Sequence, residues 1–571
     1  MKRLGTIMIA LTALLFAACP DKKGNDEQVE KPAGDKSTAT ETVAPVQREI
    51  AEVEPNEKTG QAMEIKDSCV VNGTLEAAAG PKNRAVDWYK IAPPGKKVLK
   101  VRISPVAADD VSLTFLDADR NELFGVDSGG PGEGEVYPNL TIERGAYLRV
   151  RGAAGGKGGA YRLVLEFSEP VTGQEVEFNG RYSTANELKV GEQVTGYLGH
   201  KRDEDWYLVN CKDLATGSVL RIDLAAVTGV RFALEILDGE ERAPILKCSS
   251  EKIDQGIVVR NLGLPASGGA IFVVVKSAWV PGPKPKKFER TANAEKTYSL
   301  SISSETGGDD LEREPDDDAG HAMSVLDGQK MRGYMESPSD VDWYKIEVER
   351  PSLLSAELSA LDRVDLQLYV VDPEKKDQKR DFALVRINDG GVGEPEILTN
   401  CALKPGENYV RVEGVYKKVD GKWVRDFYNL DETYSLTLTL RSDDGREERE
   451  PNRKPERATA IKIGDTLRGT LHPQGDVDMY VLDLSGQDGP HDTLIECSGI
   501  PKLDIGIALL GPEQDQDGKL KQAAISAQGK GEATESIKKE LMPGVYHIKV
   551  WGTPRTESNT RDQYLLTVTQ P

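Results

Sequence analysis

Four times along its 571 residues this chain repeats an aspartate followed by a large residue and a tyrosine: Asp87-Trp88-Tyr89, Asp205-Trp206-Tyr207, Asp342-Trp343-Tyr344 and Asp478-Met479-Tyr480. A chain this long exceeds the usual domain several times over, so three to five domains are expected, and four repeats fit. Each repeat opens on an acidic phrase: Glu52-Val53-Glu54-Pro55-Asn56, Glu175-Val176-Glu177-Phe178-Asn179, Glu312-Arg313-Glu314-Pro315-Asp316 and Glu448-Arg449-Glu450-Pro451-Asn452. From the last residue of the phrase to the aspartate before the aromatic pair is 26 positions in the last three repeats and 31 in the first. The excess is assigned to a loop insertion around Ala77 to Arg84. A glycine, Gly196, Gly333 or Gly469, stands nine positions before the same aspartate.

Between these landmarks the pattern alternates. Val219-Leu220-Arg221-Ile222-Asp223-Leu224 and Val364-Asp365-Leu366-Gln367-Leu368-Tyr369-Val370 have period two, the mark of strands with one buried face. Turn formers such as Asp238-Gly239, Asp372-Pro373 and Gly511-Pro512 end such runs. Each unit closes on a tyrosine-led strand, beginning at Tyr161, Tyr298, Tyr434 or Tyr564. With no long amphipathic helix between strands, the expected fold is all-β: four tandem antiparallel β-sandwich modules of jelly-roll type, at 51–169, 170–306, 307–442 and 443–571. The recurring aromatics are expected to anchor each module's core.

The order of acidic Glu-Pro-Asn phrase, Asp-Trp-Tyr, a Pro-Gly-x-Tyr strand such as Pro405-Gly406-Glu407-Asn408-Tyr409, and a final Tyr strand resembles the bacterial pre-peptidase C-terminal (PPC) family. The resemblance covers nearly everything from residue 51 onward. It departs from the pattern at Phe178, which replaces the proline, and at Met479, which replaces the tryptophan. It implies β-sandwich modules that usually accompany a catalytic domain. No such domain is legible here.

Calcium takes six to eight hard oxygen ligands, and carboxylates converging from two chain segments supply them. The third repeat is richest, with Glu312, Glu314, Asp316, Asp317, Asp340 and Asp342. The second offers Glu175, Glu177, Asn179, Asp203 and Asp205, and the fourth Glu448, Glu450, Asn452, Asp476 and Asp478. The first has Glu52, Glu54, Asn56, Glu57 and Asp87, with Ala85 where the others have an aspartate. The resemblance implies that the matching acidic positions hold calcium. The alternative is that these acids are solvated linker charges or strand caps. Each phrase follows the previous unit's last strand, so the sites are expected at junctions.

Residues 1–18 read as a lipoprotein signal peptide, with Lys2 and Arg3, an apolar run from Leu4 to Phe16, and Ala17-Ala18 before Cys19, the expected lipidated residue. Residues 19–50, rich in Lys, Glu, Asp, Thr, Gly and Pro, read as a disordered tether. The expected address is the cell envelope, periplasmic or surface-exposed, with the outer membrane favoured. The remaining cysteines, Cys69, Cys211, Cys248, Cys401 and Cys497, form no C-x-x-C pair; Cys211 and Cys248 share a module and can bridge or stand as buried thiols.

A net charge of -21 disfavours a nucleic-acid partner. Gly125-Val126-Asp127-Ser128-Gly129-Gly130-Pro131 is similar to the nucleophile loop of trypsin-like peptidases, but in that family the base histidine precedes the serine, and none precedes His200 here. A basic spot at Lys284, Lys286 and Lys287 near Trp279 is read as a solvated loop or an anionic glycan contact. The function expected is non-catalytic: a lipid-anchored binding or scaffold protein with an envelope protein or polysaccharide as target. The alternative is an accessory subunit of a separate secreted hydrolase; a degenerate hydrolase ranks below both.

Overall fold

The computed structural model describes residues 48–571, apart from 108, 216, 265–268, 283–286, 338–339, 379, 381, 420–421, 425–427 and 530. The signal segment, Cys19, most of the tether, Lys284 and Lys286 lie outside the described residues. A strand, Arg48–Ala51, begins inside the segment read as tether and pairs in parallel with Cys69–Leu75, so order starts a few residues earlier than its composition implies.

The described chain is all-β, and its only helical elements are four three-residue 3-10 turns. Its sheets follow one another along the sequence as a stack. Eight large sheets fall into four successive pairs, each pair enclosing one buried apolar cluster. In the third pair one sheet has the order Met323–Ser324, Val341–Val348, Gly406–Gly414, Leu366–Val371, Ala383–Ile387. Its companion runs Lys330–Met335, Asn429–Ser442, Ser352–Leu358, Glu396–Leu403. The second and fourth pairs repeat this order, and the first adds the Arg48–Ala51 strand at one edge. All large pairings are antiparallel; the short first strand of the larger sheet is parallel, as Met323–Ser324 is to Val341–Val348.

The period-two runs do what the alternation requires. In Ser218–Leu224 the buried positions Leu220, Ile222 and Leu224 face the cluster while Arg221 and Asp223 face outward, paired at 2.8 Å. The same alternation divides Asp-Trp-Tyr. In Glu204–Asn210, Asp205 and Tyr207 point inward and Trp206 points to the opposite sheet face. The expectation that all these aromatics anchor the module core therefore holds for the tyrosines, while Trp343 is buried in a separate small cluster and Trp206 is only partly buried. Trp206 joins a small outer cluster with Phe272, and Trp343 packs edge-on against Tyr409 outside the main core. Guanidinium groups cover two of the tryptophans, Arg149 over Trp88 at 5.3 Å and Arg411 over Trp343 at 5.7 Å. Met479 occupies the equivalent strand position and is buried there.

The extra residues of the first repeat fall where expected. Residues 76–85 link Cys69–Leu75 to Val86–Ile91, whereas residues 199–203 link the matching strands in the second. The repeated glycine is a matter of close approach. A Cβ on Gly333 would lie 2.4 Å from the hydroxyl of Tyr434, and one on Gly196 2.4 Å from that of Tyr298. Gly333→Ala is expected to cost about 2–3 kcal/mol through overpacking. Gly511→Ala, whose Cβ would meet nothing nearer than 3.8 Å, should change little. Chemical denaturation of both variants checks this.

Cys69, Cys211, Cys401 and Cys497 are buried free thiols and Cys248 is a half-buried one, so Cys211 and Cys248 are not bridged.

Candidate metal centres

The 26-residue spacing has a structural cause. The carbonyl of the phrase's last residue accepts the amide that follows the repeat aspartate: Trp206 N to Asn179 O at 3.2 Å, Trp343 N to Asp316 O at 3.1 Å, Met479 N to Asn452 O at 3.3 Å. Trp88 N to Asn56 O, at 3.0 Å, repeats it across the longer loop. The phrase is thereby held against the strand carrying the aspartate. The phrase's first glutamate accepts the amide just after the repeated glycine, as in Tyr197 N to Glu175 at 2.7 Å and Tyr334 N to Glu312 at 2.9 Å.

Carboxylates consequently converge. In the second pair Glu175, Glu177 and Asp205 each bring an oxygen within 4.8 Å of the others; in the fourth, Glu448, Glu450 and Asp478 do so. The third pair has two such triads, Glu312, Asp316 and Asp342 beside Glu314, Asp340 and Asp342, sharing Asp342. In the first, Glu52, Glu54 and Asp87 form the same group, but only Asp87 of the three is buried.

Two tyrosines lie beneath each centre. Tyr344 and Tyr434 share a hydrogen bond at 2.6 Å, and the hydroxyl of Tyr434 donates to Asp342. Tyr298 donates to Asp205 at 2.6 Å, Tyr564 to Asp478 at 2.5 Å and Tyr161 to Asp87 at 2.7 Å, each with its partner tyrosine alongside. The Asp-x-Tyr and the closing Tyr are thus one structural unit.

Of the other residues singled out in the sequence, Asn179 and Asn452 are buried at the centres, while Asp317 is exposed at the rim of the third. Asp203 and Asp476 are buried beside the triads, where they accept Gly199 N at 2.6 Å and His472 N at 3.1 Å. The fourth centre carries its own cation: Arg453, at the place of Asp317, pairs with Asp476 at 3.0 Å.

Burial and mutual repulsion shape the electrostatics. Desolvation first, and neighbouring carboxylates second, raise Glu312, Glu314, Asp316 and Asp342 well above the ordinary carboxylate range. Glu175 and Glu177 are pushed up to about 8 by the same causes. Several inward oxygens have no protein partner: Oε1 of Glu177, Oδ1 of Asp205, Oε2 of Glu312, both carboxylate oxygens of Asp316, Oδ1 of Asp342, and Oε2 of Glu448, Oε1 of Glu450 and Oδ1 of Asp478. Buried acceptors left unpaired are costly. An all-oxygen donor set with this many unpaired atoms fits a hard divalent cation.

The peptidase-like loop lies beside a histidine, but among the described residues no hydrogen bond joins Ser128 to His200. Ser128 lines a cleft of about 640 Å³ with His200 and Asp203. Its amide donates to Glu135 at 3.0 Å, while the ring of His200 is buried, stacked on Phe124 at 5.1 Å, with Nδ1 accepting from Arg202 N. Burial lowers His200 to about 4, which suits a packed neutral ring. Trp279 is exposed beneath Arg290 at 5.4 Å.

No protein-family model matches the chain, and no curated protein does. Among solved structures, the pre-peptidase C-terminal domain of a collagenase from Bacillus anthracis aligns at 20% identity and a TM-score of 0.17, covering 21% of this chain and 100% of that one. The stem and receptor-binding domain of the spike protein P1 from bacteriophage PM2 aligns at 9% identity and a TM-score of 0.11, covering 41% and 97%. At these scores neither match defines the fold of the whole chain.

Proposed function

We propose that this chain is a non-catalytic envelope scaffold, each sheet pair a PPC-like sandwich module, tethered to the membrane through a lipidated Cys19. The observation that carries the reading is the recurrence of one buried carboxylate centre at each of the three junctions between sheet pairs. A catalytic cleft needs groups unique to one place; a feature repeated at every junction serves the junctions. Calcium would be held by Glu175, Glu177, Asn179 and Asp205, by Glu312, Glu314, Asp316, Asp340 and Asp342, and by Glu448, Glu450, Asn452 and Asp478, where it supplies the positive charge these carboxylates lack. The phrase residues then bind both to their own sheet pair and to the edge strand of the one before. A stiff multivalent string presents several surfaces to one polymer or envelope protein at once.

Small-angle scattering with calcium and with a chelator tests the reading. The maximum dimension and the flexibility of the chain are expected to change between the two, and superimposable profiles would sink it. A second reading, an accessory polysaccharide-binding subunit, is favoured by the exposed rings of Trp279 and Phe288, on paired strands of the second repeat, and of Trp423 in the third.

A further inference from the structure

Each junction is joined by backbone pairing. The phrase's second glutamate bridges in parallel to the edge strand of the preceding sheet pair: Glu177 to Leu140, Glu314 to Leu262 and Glu450 to Cys401. One position before each of these partners stands an asparagine, Asn139, Asn261 or Asn400, and all three are buried. Each reaches across the junction to the first glutamate of the next phrase. Asn139 Nδ2 donates to Glu175 Oε1 at 2.7 Å, Asn261 Nδ2 to Glu312 Oε1 at 2.6 Å, and Asn400 Nδ2 to Glu448 Oε1 at 3.4 Å.

We propose that Asn139, Asn261 and Asn400 are positioning residues that make cation binding at each centre depend on the docking of the preceding sheet pair. The proposal rests on the calcium reading above and adds the residues that couple site to junction. In Glu312, Oε1 is pinned from two sides, by Asn261 and by Tyr334 N at 2.9 Å, and it is the other oxygen, Oε2, that is buried without a partner. Glu448 repeats this: Oε1 accepts from Asn400 and from Thr470 N at 2.7 Å, and Oε2 has no partner. Holding one oxygen fixes the carboxylate plane and presents the second inward, as outer partners of metal ligands do.

The chain contains its own comparisons. In the first centre Oε1 of Glu52 accepts from Asn56, Tyr89 and Tyr161 of its own sheet pair, and that carboxylate is less buried. At the other end, the strand Glu535–Leu541 is one residue shorter than Glu396–Leu403 and pairs without the bulge that carries Asn400, so Lys539 falls at the place of Cys401 and no residue stands at that of Asn400. Lys539 donates to Ala523 O at 2.7 Å, and no phrase pairs with its strand among the described residues. The asparagine therefore occurs on the three edges that receive a phrase and not on the fourth. Because coupling is reciprocal, docking that tightens the centre is itself tightened by the ion.

Calorimetric titration of the full chain with calcium chloride, together with limited proteolysis of the 307–311 segment across a calcium series, tests this. Asn261→Ala is expected to weaken one class of calcium sites about tenfold, the scale typical of lost outer partners, and to move protection of the segment to about tenfold higher calcium. Lys539→Asn should move neither. A role in stability alone would lower the melting temperature in chelator while leaving the calcium midpoint in place. That outcome, with calcium still bound by the wild type, overturns the coupling and leaves the calcium reading standing. Failure of the wild type to take up calcium overturns both. Asn139→Ala and Asn400→Ala supply the same measurement at the other junctions if Asn261→Ala does not fold.

Discussion

Asp342→Asn is expected to stabilise the protein in chelator and to destabilise it in calcium. Asp342 belongs to both triads of the third centre, is fully buried, and has one oxygen with no partner. Its other oxygen accepts from Tyr434, a bond that the asparagine carbonyl keeps. Without a cation the substitution removes one of five crowded carboxylates, the one that burial first, and then Asp340, Glu312 and Asp316, push well above the ordinary range. With a cation it deletes a charge from both ligand groups. Saturation at a hundred times the dissociation constant contributes about 2.7 kcal/mol per site, so a loss of that order is expected in calcium and a smaller gain in its absence. Scanning calorimetry, with the transitions resolved because a chain of several cores need not melt as one, gives both signs. A variant that is less stable under both conditions would mark Asp342 as structural only.

The second large effect is on pH dependence. Glu175 and Glu177 rise from 4.5 to about 8, Glu448 to about 7, and Asp340 and Asp476 from 3.8 to about 6. A carboxyl raised in the folded state keeps a proton there that the unfolded chain has released. Its contribution is complete below the unfolded value and is lost as pH rises through the folded one. The chelated protein is therefore expected to lose stability steadily between about pH 5 and pH 8, by a few kcal/mol from the Glu175 and Glu177 pair. Calcium should reverse the trend, since binding displaces protons and strengthens as they leave. The gap between melting temperatures with and without calcium should widen from pH 5 to pH 8. A constant gap would show that these groups are not the ligands.

Much of the centre was legible because it repeats. The constant 26 positions between phrase and aspartate signalled a fixed contact, and the contact is the hydrogen bond from Trp343 N to Asp316 O and its equivalents. The glycine nine positions earlier was visible only as a strand start; its closeness to Tyr434 emerges when two strands far apart in sequence are laid side by side. Period two placed Leu220, Ile222 and Leu224 in the core, but it missed Val219, which is buried on the other face of the same strand. The same rule, applied across Asp-Trp-Tyr, would have placed the tryptophan outside the core. Asn139, Asn261 and Asn400 carried no signal of their own, because a lone asparagine in an apolar strand has no distinctive spacing.

Sequence alone determined the all-β character, the count of four repeats and the acidic composition of the centres, since alternation, turn residues and repeat period are local properties of a chain. Only the tertiary structure decided which carboxylate oxygens meet, which tyrosine supports which aspartate, and that each later centre is completed by the edge strand of the preceding sheet pair. Those are contacts between residues up to 123 positions apart, as from Glu175 to Tyr298. Their distances follow from how strands pair and sheets stack, and from nothing that neighbours along the chain can express.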